Sequence, residues 1–241
     1  MKDEYRKRAR DVRRDIFESL SEQDLYDFER KRIDAFFSNS MIAKALLQPK
    51  VCVGIYFSMG SEASTHQMIT ELQGRGFDIA VPIVDSGSEI GEIPGSKAGL
   101  ESGFKITDTA SPIAQNGMQH TVCQNPSGGS SSDQVMRFVS FHPESELELS
   151  EHRFYQPKDS HLLASVYPDL LIVPILAFDH DKNRLGYGKG HYDRYFDQEM
   201  LSRSHSSFRV GWAYSRQRVS KLPVLETDVA MDLIITENRV W

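Results

Sequence analysis

Residues 170–196 read LLIVPILAFDHDKNRLGYGKGHYDRYF. The apolar run Leu170 to Phe178 has the length and composition of a buried strand. A polar loop follows, with glycine at every second position: Gly186, Gly188 and Gly190. A helical pattern then runs from His191 to Arg203. Strand, glycine loop and helix in that order make a phosphate-binding layout. Glycine lets the backbone approach an anion and adopt positive φ. The helix behind it presents free N–H groups and the positive end of its dipole. Lys189 adds a mobile cation, Arg184 a planar one, and Asp193 a carboxylate where a cation could be held. The spacing is neither of the two common nucleotide fingerprints. His191 stands where the last glycine of GxGxxG would fall, and Lys189 is not followed by Ser or Thr as in a P-loop. A plain glycine-rich turn between strand and helix is the competing reading of the spacing by itself.

Outward from this stretch, strands and helices alternate. Residues 50–57 (KVCVGIYF) read as a buried strand, 66–72 as a helix with Met68, Ile69 and Leu72 inward and Gly74 and Gly76 at its end, and 77–84 (FDIAVPIV) as a second strand. That is a βαβ unit, so a parallel sheet is expected. Strands are also expected at 135–142, 208–214 and 231–236, a short turn or helix at 215–223, and loop over the polar stretch 143–168. The N-terminal residues 2–20 carry Tyr5, Ala9, Val12, Ile16 and Leu20 at three- and four-residue steps, an amphipathic helix. Lys2, Arg6 and Arg13 border that stripe, either as a solvated basic face or as cations at a seam where a phosphate could be gripped. Ser21 with Asp24 signals a second helix start with a capping box, and Leu25, Phe28, Ile33, Phe36 and Phe37 give that helix its core face. The pattern predicts an α/β fold: a layered α/β/α domain on a mostly parallel sheet, one domain over residues 1–241. Residues 86–134 interrupt it. Gly, Ser, Pro, Asn and Gln dominate there, a composition that cannot bury enough apolar surface to offset its ordering entropy, so a disordered insertion is expected.

Composition narrows the function. A net charge of −6 argues against a general nucleic-acid binder, although the basic N-terminal helix leaves a local anion site open. An RNA-associated or scaffold role would need more interleaving of basic and aromatic residues. Cys52 and Cys123 lack metal-site spacing, which suits a reduced, cytoplasmic chain. The apolar runs are too short to span a bilayer. The Arg-rich N-terminus is broken by Asp3, Glu4, Asp11 and Asp15, which disfavours a mitochondrial presequence. A monomer is expected. The histidines lack HExxH spacing and no GxSxG elbow occurs, so zinc hydrolysis and ordinary serine hydrolysis are both disfavoured.

Several carboxylates compete for roles. Asp193 and the distant Asp232 could hold Mg2+, a hard cation that prefers oxygen ligands. Asp179 and Asp181 are rivals, though Asp in a DHDKN stretch is commonly a turn former, and Asp228 is a further candidate. Glu62 follows a buried strand at a strand-to-helix corner, and in doubly wound folds ligands gather at the carboxyl ends of the strands. A carboxylate there can accept two parallel N–H bonds from a guanidine-like edge such as a pterin's. A first-turn Glu favouring the helix dipole is the simpler explanation of the position.

The wording of the central stretch, LIVPILAFD then RLGYGKGHYDRYF, resembles the signature of the 5-formyltetrahydrofolate cyclo-ligase family. Further pieces fall in order: Lys2 and Arg6 as K-x-x-x-R, YFSMGSEAST with Glu62, Met136-Arg-Phe138, GWAYSRQ, and Asp228-x-x-x-Asp232. The resemblance implies ATP-dependent conversion of 5-formyltetrahydrofolate to 5,10-methenyltetrahydrofolate, with Mg2+. It implies that Lys2, Arg6 and the loop Arg184, Leu185, Gly186, Tyr187, Gly188, Lys189, Gly190, His191 and Tyr192 bind ATP. Lys189 and Arg184 would act on the transferring phosphate. Met59 and Glu62, with Tyr187, Gly188, Lys189, Gly190 and His191, would border the folate, and Asp193 and Asp232 would serve Mg2+. A non-catalytic nucleotide- or folate-binding protein is the alternative, which the retention of Arg184, Lys189 and Asp193 disfavours. His191 departs from the family's Tyr, and an insertion as long as 86–134 is unusual for it.

Overall fold

The computed structural model describes residues 2–85, 135–150, 154–202 and 207–241. The expected disordered insertion at 86–134 lies outside these residues. Helices α1 (Lys2–Glu18), α2 (Glu22–Ser38) and α3 (Ser40–Ala45) lead into β1 (Cys52–Ile55), α4 (His66–Gly74) and β2 (Asp78–Asp85). Then follow β3 (Val135–Phe141), β4 (Leu147–Leu149), β5 (Tyr155–Pro157), β6 (Ser165–Val166), β7 (Leu170–Pro174), β8 (Ala177–Phe178), β9 (Arg184–Leu185), α5 (His191–Ser202), β10 (Phe208–Trp212) and β11 (Leu233–Ile235). Seven strands form the main sheet in the order β11-β10-β7-β1-β2-β3-β6. The five from β11 to β2 are parallel. Among the described strands of this sheet β3 runs opposite to the rest, antiparallel to both β2 and β6.

β7, the middle one of the five parallel strands, is buried at every position, as an all-apolar strand covered on both faces must be. Its period-two alternation divides the core. Leu170 and Ile172 face Ile16, Ile33, Phe36, Ile42 and Met68 of helices α1 to α4. Leu171 and Val173 face Tyr195 and Phe196 of α5. The sheet is therefore the middle layer of an α/β/α sandwich, with, among the described residues, four helices on one face and one on the other. At Gly54 of β1 side chains from the paired strand region close over the backbone, so that a Cβ would lie 2.4 Å from Leu171 Cδ2 of β7 and 2.8 Å from Pro168 Cγ. The capping box expected at Ser21 is present: Ser21 Oγ accepts from the Asp24 amide at 3.1 Å, and Asp24 Oδ2 accepts from the Ser21 amide at 3.0 Å.

Two expectations need correction. The stretch 143–168 is not loop throughout, because it holds the β4–β5 hairpin, a 3-10 turn at Ser160–Leu162 and edge strand β6. The run Leu170–Phe178 is not one strand. Pro174 has no N–H to continue the ladder, and the chain turns after it. The freed carbonyls of Ile175 and Leu176 accept from Gln217 Nε2 at 2.6 and 3.0 Å, and β8 pairs instead with β9. This small hairpin launches the glycine loop.

Chain order and strand order together locate the place for a ligand. From β1 the chain moves to β2 and β3 on one side. It returns to β7 on the other side and continues outward to β10 and β11. The crevice beyond the carboxyl ends of β1 and β7 is the topological switch point, where open α/β sheets bind their ligands.

Candidate active site

A cavity of ≈ 730 Å³ opens at that switch point. Its wall is assembled from separate regions. α1 contributes Lys2, Arg6 and Arg13; the segment after β1 contributes Tyr56, Phe57, Met59 and Glu62. Pro174 and the whole run Arg184 to Asp193 come from β7 and the glycine loop. The β5 region adds Phe154 and Tyr155, and a late loop adds Leu225, Thr227 and Asp228. Every residue singled out above for ATP or folate lines this cavity. Of the two singled out for the metal, Asp193 does and Asp232 does not.

The N-terminal cations face inward, so they are not a solvated strip. Lys2 pairs with Asp228, and Arg6 donates from Nε to the Gly186 carbonyl at 3.2 Å. Arg13 is only 8% exposed; it donates to Ser61 Oγ at 3.1 Å and to the Tyr187 hydroxyl. α1 is thus the far wall of the glycine loop. Gly188 needs its φ of +100°, and a Cβ there would come within 3.0 Å of the Arg6 guanidinium.

Glu62 sits on a braced loop. Ser58 and Thr65 bond reciprocally, each amide donating to the other's hydroxyl at 3.1 Å, and Thr65 Oγ1 donates to the Tyr56 carbonyl at 2.7 Å. Trp212 Nε1 donates to the Ser64 carbonyl at 2.8 Å. The loop holds the Glu62 carboxylate at the cavity wall, where Oε2 accepts from the Met59 amide at 2.9 Å and Oε1 accepts from the Tyr187 hydroxyl. Arg13 lies 3.8 Å from it.

Arg184 is held by Asp193, whose Oδ1 accepts from a terminal guanidinium nitrogen at 2.6 Å, and its guanidinium packs 5.4 Å from the centre of the Tyr192 ring. Arg184 Nε and the Tyr192 hydroxyl are buried and have no hydrogen-bond partner among the described residues. Such orphaned donors beside a cavity suit an anionic or oxygen-rich ligand. Lys189 stands exposed at the loop tip. Burial pushes the phenols of Tyr56, Tyr187 and Tyr192 up, and the Glu62 charge adds to the rise in each. They remain neutral hydrogen-bond donors at physiological pH.

The remaining carboxylates have other employment. Asp232 Oδ2 accepts from the Arg209 amide at 2.7 Å, and its carbonyl accepts from Lys182 Nζ at 2.8 Å, so it fastens the start of β11 to β10 outside the cavity. Asp179 is fully buried and organises its turn, accepting from the amides of Asp181 and Asn183 at 3.1 Å and of Leu222 at 3.0 Å. Asp181 pairs with exposed His180 at 3.1 Å. Asp228 does reach the cavity, as the partner of Lys2. Among the described residues no three His, Cys, Asp or Glu converge as a metal cluster. Sequence reasoning missed Phe154 and Tyr155, because they lie in the polar stretch taken for loop; their adjacency beside the alternating Leu147-Glu148-Leu149 was the available signal.

Comparison with known proteins gives a consistent result. A family model described as the 5-formyltetrahydrofolate cyclo-ligase family matches residues 4–237. The chain is similar to the 5-formyltetrahydrofolate cyclo-ligase of Escherichia coli (strain K12), 36% identical over 108 residues that cover 43% of this chain and 57% of that protein. It is also similar to the enzyme of that name from Mycoplasma pneumoniae, 42% identical over 70 residues, covering 29% of this chain and 40% of that protein. The matched region thus spans about half the length of these curated relatives. In fold, the chain resembles the 5,10-methenyltetrahydrofolate synthetase structure from Aquifex aeolicus, with a TM-score of 0.61 and 21% identity over 99% of this chain and 91% of that one. The likeness to the Mycoplasma pneumoniae synthetase structure has a TM-score of 0.54 at 18% identity, covering 98% of each chain.

Proposed function

Since the chain belongs to the 5-formyltetrahydrofolate cyclo-ligase family, we propose that it closes the imidazoline ring of 5-formyltetrahydrofolate to give 5,10-methenyltetrahydrofolate, consuming ATP. The observation that carries this reading is the convergence in one cavity of Glu62, Lys189, Arg184 and the α1 cations, residues drawn from distant parts of the chain.

An N-formyl amide is a poor electrophile, and the task is to turn its oxygen into a leaving group. The formyl oxygen attacks the γ-phosphorus of ATP, the bridging P–O bond breaks and ADP departs. The product is an iminium-like formyl phosphate. N10 then attacks the formyl carbon, the C–O bond breaks with release of phosphate, and N10 gives up its proton. No side-chain nucleophile is needed. What the protein supplies is alignment and charge. Lys189 at the loop tip and Arg184 in the wall would neutralise charge on the transferring phosphoryl group. Lys2 and Arg6 would hold the remaining phosphates against α1. Glu62 would accept the amino-pyrimidinone edge of the pterin, with Met59 beside it, while residues 187–191 lie between the two substrates.

The donors in the cavity fit a hard cation only in part. Asp193 offers carboxylate oxygen, and nucleotide-bound Mg2+ commonly takes one or two protein carboxylates and completes its shell with phosphate and water. Asp193 is therefore the residue that would hold it, and the ion would supply charge neutralisation on the phosphates. We place the activity in the cytoplasm, in a monomeric single domain; the span of the family match, 4–237, supports one domain. Among the described residues no helix is long and apolar enough to cross a membrane.

The test is optical. The purified protein, 5-formyltetrahydrofolate, ATP and Mg2+ should develop the near-ultraviolet band of the methenyl product, with no growth when ATP is omitted. Binding of both substrates without growth of the band would turn the reading toward a non-catalytic binder.

A further inference from the structure

The Tyr187 hydroxyl accepts a hydrogen bond from Arg13 and donates one to Glu62 Oε1. Arg13 lies 5.2 Å from the centre of the Tyr187 ring. The two bonds fix the direction of the phenolic O–H, because Arg13 can only donate and the carboxylate can only accept. The other Glu62 oxygen is already engaged by the Met59 amide at 2.9 Å. Tyr187 thus covers Oε1, the carboxylate oxygen that carries no backbone bond, from a loop that crosses the cavity. Yet Tyr187 is 39% exposed and sits between Gly186 and Gly188, whose permissive backbone lets the loop swing. Arg13 is buried and stays, 3.8 Å from Glu62, so departure of the phenol leaves the carboxylate with an ion-pair partner.

We propose that Tyr187 is a positioning residue that latches the glycine loop over Glu62, and that the entering folate must displace it to reach the carboxylate. The idea rests on the pterin role of Glu62 given above. It adds that the folate edge and the Tyr187 hydroxyl compete for one oxygen, so folate binding frees the loop that bears Lys189. The arrival of the folate would then be coupled to the position of the phosphate-binding residues, with Arg13 as the fixed end of the latch.

Tyr187→Phe keeps the ring and removes both hydrogen bonds. Two measurements on the full chain separate the latch from the assigned chemistry. In the ligand-free protein, amide hydrogen exchange over residues 186–190 should quicken at least tenfold in the variant; unchanged exchange would overturn the latch. By calorimetry without ATP, 5-formyltetrahydrofolate should bind the variant about tenfold more tightly, the scale of one hydrogen bond to a charged group that need no longer be broken. A residue that merely shaped the pocket would give weaker binding on removal, and weaker or equal affinity overturns the competition. Absence of folate binding in both proteins would refute the pterin role of Glu62 and the competition with it, while the exchange result still decides whether Tyr187 holds the loop.

Discussion

A single side chain at the loop tip bears the largest expectation. Lys189→Ala removes an exposed cation and no packing, so its effect belongs to the chemistry. The turnover rate should fall by roughly 10²–10³, the usual loss for one group that stabilises transition-state charge, with an unchanged thermal midpoint. A rate within a factor of two of wild type would remove Lys189 from catalysis. Glu62→Gln should act on the other substrate. It keeps the shape and loses the charge, so 5-formyltetrahydrofolate affinity should weaken by about 10- to 100-fold while ATP affinity holds. Equal losses for both ligands would contradict its assignment. The loop that bears Lys189 reads locally as a phosphate-binding layout, whereas the folate role of Glu62 comes from the family resemblance, because a first-turn Glu is explained locally by the helix dipole. The metal role of Asp232 likewise came from the resemblance; in the structure its carboxylate accepts from the Arg209 amide at 2.7 Å, and a bond between chain-distant neighbours leaves no local trace. Arg13 was legible as a phase and not as a fate, because helical periodicity put it on the right strip while its burial depended on what α1 leans against.

Helices and long buried strands could be read at the scale of the element, since their periodicities are internal. The β4–β5 hairpin could not, because each strand has three residues and gains its order from its partner and from β2. Short pieces stabilised by tertiary contact escape a pattern search. The start of α2 shows the opposite case, a local device wholly written in Ser21 and Asp24. Hydrogen bonds from the Ser21 hydroxyl, and then from its amide, hold the Asp24 carboxyl below the usual carboxylate value. The ionised form is the one that folding favours, so the contribution is complete above the ordinary carboxylate range and disappears as pH falls through the lowered value. Ser21→Ala should lower stability by about 1 kcal/mol at neutral pH in urea unfolding. The gap between the two proteins should narrow as the pH is taken below 4. A gap that stays constant with pH would mean that Asp24 takes no part.

For the molecule as a whole, the strands flanking residues 86–134 are already paired. Asp85 stands opposite Val135 in the β2–β3 ladder, at antiparallel spacing. Replacing 86–134 by a two-residue Asn-Gly turn should therefore give a folded protein with ATP-dependent activity retained, and the shorter closure should favour it by roughly 2 kcal/mol. Failure of that protein to fold would show that the removed residues are part of the scaffold. The layered architecture itself was legible, since each parallel strand is an apolar run flanked by helix. The strand order was not, because which strand lies beside which is decided by the packing of the sheet. The same packing equips the molecule with an optical probe. It has two tryptophans, and they occupy unlike surroundings. Trp212 is fully buried, bonded to the loop that carries Glu62, with the Arg32 guanidinium 5.4 Å from its ring. Trp241 lies outside the cavity wall, 4.3 Å from Arg218 and 4.6 Å from Arg239. In a Trp241→Phe background the tryptophan emission would come from Trp212 alone, so a spectral shift on adding either substrate would report on the surroundings of the Glu62 loop without any attached dye.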